Sequence, residues 1–62
     1  MNLQQFKISK LKSYLVNNYP VDEIKNIVKH PGEYTLLISS WGLHASMVRK
    51  SAVLALAEIT GE

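Results

Sequence analysis

Proline and glycine fall at four places in this chain, and these places limit its possible folds more than any other feature. They are Pro20, Pro31-Gly32, Gly42 and Gly61. Because proline and glycine interrupt regular elements, each stretch between them is expected to form one element. The 62 residues are 47% hydrophobic and 19% charged, which gives enough apolar surface to fold and little charge repulsion to prevent it. The sequence therefore predicts a single small domain, residues 1–62, built from four short elements.

The first two segments have the apolar spacing of amphipathic helices. In residues 3–18, apolar side chains recur every three or four residues, at Ile8, Leu11, Tyr14 and Leu15. Pro20 suits the first turn of a second helix, and Asp22 and Glu23 follow it where the helix dipole favours carboxylates. The buried stripe of this second helix is expected at Val21, Ile24, Ile27 and Val28.

The third segment, residues 34–41, fits either a helix or a strand. Its aromatic and β-branched residues favour a strand. Helical spacing is shown by Tyr34, Leu37, Ile38 and Trp41. We favour the helix, because Pro31-Gly32-Glu33 repeats the proline-then-acid order that opens the second helix and Gly42 can end it. The alternative is an α+β fold in which a strand at about 34–40 pairs with a second copy across a dimer.

The fourth segment, residues 43–60, is rich in Ala and Leu, contains no internal Pro or Gly, and stops at Gly61. Its expected core face surrounds the small Ser51 and contains Leu43, Met47, Val48, Leu54, Ala55 and Ile59. The outer side is first small and polar, with Ala45, Ser46, Arg49 and Lys50, and later apolar, with Val53, Leu56 and Ala57. The whole chain is therefore expected to be a compact all-α domain of four helices.

The composition excludes several kinds of stabilisation. The chain has no cysteine, so it has neither disulfides nor thiolate metal ligands. So short a chain often gains stability by self-association, and we expect a homodimer. A net charge of +2 permits a polyanionic partner without requiring one. Because no signal-like or membrane-length apolar run is present, we expect a cytoplasmic protein without membrane contact.

Residues suited to catalysis are not grouped into a known motif. The two histidines, His30 and His44, lie in different segments and belong to no metal-binding pattern. The serines lie outside a nucleophile-elbow sequence. We therefore expect no enzymatic activity, no cofactor and no metal site.

The order helix, glycine, helix between Thr35 and Ala57 resembles a helix-turn-helix DNA-binding unit, as found in small phage repressors and winged bacterial regulators. With Gly42 in the turn, the resemblance assigns the packing between the two helices to Leu37, Trp41, Leu43, Val48 and Ser51. Residues 42–50 also resemble the run from glycine into the recognition helix of winged regulators. The chain departs from the motif at Ile38, where a small residue is usual.

The resemblance implies that the start of the fourth helix enters the major groove of DNA. The side chains presented there would be His44, Ser46, Arg49 and Lys50, whose donors suit guanine edges and phosphates. Further phosphate contacts are expected from Lys7, Lys10 and Lys12. The implied function is that of a small DNA-binding transcriptional regulator.

The apolar group formed by Val53, Leu56 and Ala57 predicts a further packing surface. The first helix would cover it, or it would form a twofold dimer. Such a dimer would place two recognition helices on successive turns of DNA if they lie about 34 Å apart. The alternative function is a small protein–protein interaction module, an inhibitor or adaptor of a partner protein, which would use this group or the lysines of the first helix and would not bind DNA.

Overall fold

The helices follow the order that the proline and glycine positions predict. The computed structural model describes residues 3–61, in which α1 spans Leu3–Asn18, α2 Val21–Lys29, a 3₁₀ turn Pro31–Glu33, α3 Thr35–Trp41 and α4 Ala45–Thr60. The all-α prediction is confirmed, and the alternative strand at 34–40 is wrong because these residues lie mainly in α3. A strand would divide Leu37, Ile38 and Trp41 between two faces, whereas a helix brings all three to one face.

The ends of α2 show how sequence sets local structure. Pro20 precedes α2 in extended backbone, with φ −70° and ψ 160°. Asp22 and Glu23 occupy the first turn and Lys29 the last, so each charge opposes the partial charge of the nearby helix end. Pro31–Glu33 forms a separate 3₁₀ turn before α3, instead of the first turn of α3 that the sequence suggests.

The core lies between α1, α2 and α4, and α3 covers one side of it. The fully buried hydrophobic side chains are Leu11 and Leu15 of α1, Ile24 and Ile27 of α2, and Val48, Ala52 and Ala55 of α4. The nearly buried Leu37 is the contribution of α3 to this cluster. The radius of gyration is 10.5 Å, close to the value of about 11 Å expected for a compact chain of this length.

The expected core face of α4 is wrong at two positions. Leu54 is 42% exposed and Ile59 is 39% exposed, whereas Ala52, which the sequence does not single out, is fully buried. The buried stripe follows Val48, Ser51, Ala52 and Ala55. Leu54 lies to one side of that stripe, and Ile59 lies in the last turn, beyond its end. Small side chains line the stripe because they allow α1 and α2 to approach α4 closely.

The start of α4 lies at the same end of the molecule as the start of α1 and the end of α2. Gln5 of α1 shares a groove with Lys50 of α4, and the Arg49 side chain reaches the Val28 carbonyl of α2. Consequently, side chains from three helices meet around the first turns of α4.

Candidate nucleic-acid interface

The chain changes direction between α3 and α4 at Gly42, which ends α3 as predicted. Gly42 has left-handed backbone angles, φ 61° and ψ 38°. The next amide, that of Leu43, donates a 3.2 Å hydrogen bond to the Ile38 carbonyl, which is the long bond of a Schellman helix end. Leu43 is buried, and α4 begins at Ala45. The backbone of this corner therefore favours glycine at position 42.

The side chains that the resemblance assigns to packing between α3 and α4 are buried or half-buried. Those that are buried are Leu37, Leu43, Val48 and Ser51. Trp41 is half-buried, and its ring centroid lies 5.7 Å from that of Tyr14 on α1. The Ser51 hydroxyl donates to the Met47 carbonyl at 3.0 Å, so this buried polar group is satisfied. The bulky Ile38 is accommodated half-buried beside the core.

The predicted DNA contacts at the start of α4 all lie on the surface. His44, Ser46, Arg49 and Lys50 are exposed. Arg49 also makes one contact within the protein, because its Nε donates a 3.1 Å hydrogen bond to the Val28 carbonyl. That carbonyl lies in the last turn of α2, where carbonyl groups lack partners within the helix and the dipole is negative.

Lys50 lies about 100° around the axis of α4 from Arg49 and faces a different neighbour. It borders an open groove of about 290 Å³ between α1 and α4, lined by Gln5, Ile8, Ser9, Lys12, Lys50 and Leu54. The two cations therefore flank the first turns of α4, one toward α2 and the other toward α1.

The three lysines expected to contact phosphate from α1 have different surroundings. The Lys7 ammonium lies beside the corner, 3.4 Å from where a Cβ would stand on Gly42. The Lys10 ammonium lies 5.2 Å from the centroid of the Phe6 ring. The Lys12 ammonium forms a 2.9 Å ion pair with Glu58 of α4. Lys7 is thus the one nearest the corner, whereas the charge of Lys12 is already partnered.

The two carboxylates of α2 lie at the opposite end of that helix from Arg49. Asp22 and Glu23 occupy the first turn of α2, while Arg49 contacts the last turn. Glu33 lines a second groove with Tyr19 and Tyr34. Within residues 3–61, the one ion pair shorter than 4.0 Å is that of Glu58 with Lys12. Within the described residues, neither Arg49 nor Lys50 therefore forms an ion pair with a carboxylate.

Tyrosines and a carboxylate link α1, α2 and α3 on the side that carries Glu33. The Tyr34 hydroxyl accepts a 2.8 Å hydrogen bond from Asn26 Nδ2 and donates one of 3.2 Å to Glu23 Oε1. Burial raises the pKa of Tyr19, and the nearby Tyr14 and Glu23 raise it further. The carboxylates of Glu23 and Glu33 make this side of the molecule unfavourable for an anionic ligand.

The apolar group that was predicted as a dimer surface is only partly exposed. Val53 is 47% exposed, whereas Leu56 and Ala57 are half-buried. Leu56 packs against the core cluster. Val53 is therefore the member of this group best placed to contact a second molecule.

Two residues beside Arg49 are absent from the sequence-based site. Lys29 is the last residue of α2 and His30 follows it, and both are exposed. Their proximity to Arg49 depends on how α2 packs against α4, which the sequence of either helix does not reveal alone. The one available signal is a basic residue in the last turn of a predicted helix, which usually indicates only dipole compensation.

Comparisons with models of protein families, with curated proteins and with solved structures find no match to this chain. Among the described helices, none is both long and apolar enough to cross a membrane. No three potential metal ligands of the His, Cys, Asp or Glu type cluster within residues 3–61.

Proposed function

We propose that this protein binds double-stranded DNA through the start of α4 and acts as a small transcriptional regulator. The observation that supports this function best is the exposed group His44, Ser46, Arg49 and Lys50, which contains donors and no carboxylate. The corner at Gly42 and the buried Leu43 fix this group relative to the core. The proposal also fits the cytoplasmic location expected from the sequence.

The dimensions of α4 suit the major groove. An α-helix is about 10–12 Å wide with its side chains, and the major groove of B-DNA is about 12 Å wide. The guanidinium of Arg49 can donate to a guanine edge or to phosphate oxygens, whereas Lys50 can neutralise a phosphate. Ser46 is short enough to allow close approach of the helix to the base edges.

The test is the salt dependence of binding to a mixed-sequence duplex, followed by fluorescence anisotropy. If Lys7, Arg49 and Lys50 each neutralise one phosphate, the logarithm of the affinity should fall with the logarithm of salt concentration with a slope of about −3. Arg49→Ala should reduce the steepness by about one unit.

Lys12→Ala is the matched control. It removes the same charge, but from an ammonium that Glu58 already neutralises, so the slope should change much less. An affinity that does not respond to salt, or equal effects of Arg49→Ala and Lys12→Ala, would contradict the proposed interface.

A homodimer through Val53, Leu56 and Ala57 remains part of this proposal, but it would not span successive turns of DNA. The centre of this group lies about eight residues, or about 12 Å, beyond the centre of the recognition surface. With about 9 Å between paired helix axes, twofold symmetry would separate the two surfaces by about 26 Å. That distance is shorter than the repeat of about 34 Å. We therefore expect one recognition surface of the dimer to bind at a time.

Sedimentation of Val53→Glu tests the dimer, because this side chain is exposed and its replacement leaves the core intact. Monomers in the variant and dimers in the wild type would support the interface. If both have the same mass, Val53 is not in a self-association surface. Leu56→Glu is less suitable, since Leu56 packs on the core.

One observation favours the alternative function, a protein–protein interaction module. Leu36 on α3 is 81% exposed and borders the groove that contains Tyr19, Tyr34 and Leu37. Large aliphatic side chains beside aromatic grooves often contact other proteins. Loss of a captured partner in Leu36→Ser, with unchanged capture in Arg49→Ala, would favour this function over DNA binding.

A further inference from the structure

We propose that the C-terminal end of α2 is a second part of the DNA interface. There Lys29 and His30 form a phosphate-binding cluster with Arg49. The inference rests on the proposed function and adds to it a second helix and a specific ligand group, the phosphate oxygens of one DNA strand.

The first support is the fixed position of Arg49. Its Nε donates to the Val28 carbonyl at 3.1 Å, at a helix end that carries about half a negative charge. A guanidinium has five N–H donors, so this bond leaves four donors on the two terminal nitrogens. Those nitrogens form a rigid fork that matches two oxygens of a phosphate. Arg49 is therefore oriented before any ligand binds.

The second support is that Lys29 and His30 directly follow the residue whose carbonyl binds that guanidinium. The carbonyl that Arg49 contacts belongs to the peptide group joining Val28 to Lys29. The His30 amide bonds to the Asn26 carbonyl at 2.8 Å, and the next residue, Pro31, is buried. The backbone that carries Lys29 and His30 is thus fixed, while both side chains are exposed.

The third support is the separation of this cluster from carboxylates on the same helix. The acidic residues of α2, Asp22 and Glu23, lie in its first turn, about 10 Å from Lys29 along the helix axis. The α2 dipole offsets part of the repulsion among the cations. Lys29 and Arg49 carry two positive charges, against about half a negative charge at the end of α2 and the carboxylate of Glu33 in the following 3₁₀ turn. The cluster therefore keeps a net positive charge, which favours an anionic ligand.

The fourth support is the position of α2 relative to α4. A helix within the major groove has a phosphate backbone along each side of it. Arg49 faces α2 and Lys50 faces α1, so each side of α4 would meet one strand. Lys29 and His30 would then extend the contacts to the strand on the α2 side.

The test measures the salt dependence of duplex binding for Lys29→Ala and for the double variant Lys29→Ala/His30→Ala. Lys29→Ala should reduce the steepness of the logarithmic salt plot by about one unit, and the double variant should bind more weakly still. Lys25→Ala is the matched control, because Lys25 is an exposed lysine of the same helix, one turn nearer the acidic end. Circular dichroism should show equal helix content in all of these proteins.

Arg49→Lys separates charge from orientation. It retains the positive charge but loses the rigid fork and the Nε bond to Val28. The salt slope should stay unchanged while the affinity for the mixed-sequence duplex falls about tenfold. An unchanged affinity would show that the contact with α2 does not orient Arg49 for binding.

The outcomes distinguish this inference from the proposed function. If the wild type binds DNA with a steep salt dependence and Lys29→Ala behaves like Lys25→Ala, α2 is not in the interface and the role of α4 stands. If the wild type has no salt-dependent affinity for DNA, both proposals are wrong.

Discussion

Replacing Gly42 by alanine should destabilise the protein more than replacing Gly32 by alanine. Gly42 has a φ of 61°, and an L-residue with a Cβ pays about 1–2 kcal/mol in this region. The added Cβ would also stand 3.4 Å from the Lys7 ammonium, a flexible group that can move at small cost. A domain of 62 residues has a total stability of about 3–9 kcal/mol, so the expected loss is a substantial share.

Urea and thermal unfolding, followed by far-UV circular dichroism, measure this loss. In a domain of this size each kcal/mol lowers the melting temperature by about 4–8 °C. Gly32→Ala is the matched control, because Gly32 has no positive φ and a Cβ there would meet nothing within 4 Å. Its effect should stay within about 0.5 kcal/mol. The stability of Gly42→Asn should lie between those of Gly42→Ala and Gly32→Ala, since asparagine tolerates the left-handed region better than alanine does.

The reasoning about the corner is refuted if Gly42→Ala and Gly32→Ala unfold at the same urea concentration. That result would mean that the chain reaches the start of α4 by another backbone path. Near the melting temperature of Gly42→Ala, this variant should bind DNA more weakly than the wild type, because part of it is unfolded. Gly32→Ala should bind as the wild type does.

Three further predictions concern the core, an ionisable tyrosine and an ion pair. Ala55→Leu should lower the free energy of unfolding by about 1–3 kcal/mol, because Ala55 is fully buried. Ala57→Leu should lower it less, because Ala57 is only half-buried, and thermal melts of the two variants measure the difference. Because the folded-state pKa of Tyr19 is raised, the unfolded chain loses its proton first as the pH rises above about 10. Stability should therefore fall in alkali, and fall less in Tyr19→Phe, as measured by urea titrations at several pH values. The pair of Lys12 with Glu58 is partly exposed and should contribute about 0.2–1 kcal/mol in a double-mutant cycle, less at high salt.

The helices could be predicted because their signals are local. Pro20, Gly42 and Gly61 mark where helices begin or end, and the apolar spacing within each segment has a helical period. The ambiguity of residues 34–41 is resolved by burial, since Leu37 is buried and Ile38 and Trp41 are half-buried beside it. A helix brings these three residues to one face, whereas a strand would divide them.

The details of α4 could not be predicted because they depend on its neighbours. Hydrophobicity favours Leu54 over Ala52 as a core residue, but close packing against α1 and α2 selects the smaller side chain. The contacts of Arg49 with Val28 and of Lys12 with Glu58 join residues that are 21 and 46 positions apart. The apolar pattern of α4 predicts that Arg49 and Lys50 are exposed, but it does not predict that the end of α2 lies beside Arg49.

The contact of Trp41 with Tyr14 gives the protein an intrinsic fluorescent probe. Trp41 is the sole tryptophan of the chain, and it is half-buried at the last residue of α3. Its emission wavelength should therefore shift to the red whenever α3 separates from α1, even if the helix content is preserved. Opening at this one contact can thus be timed in stopped-flow experiments without attaching a dye.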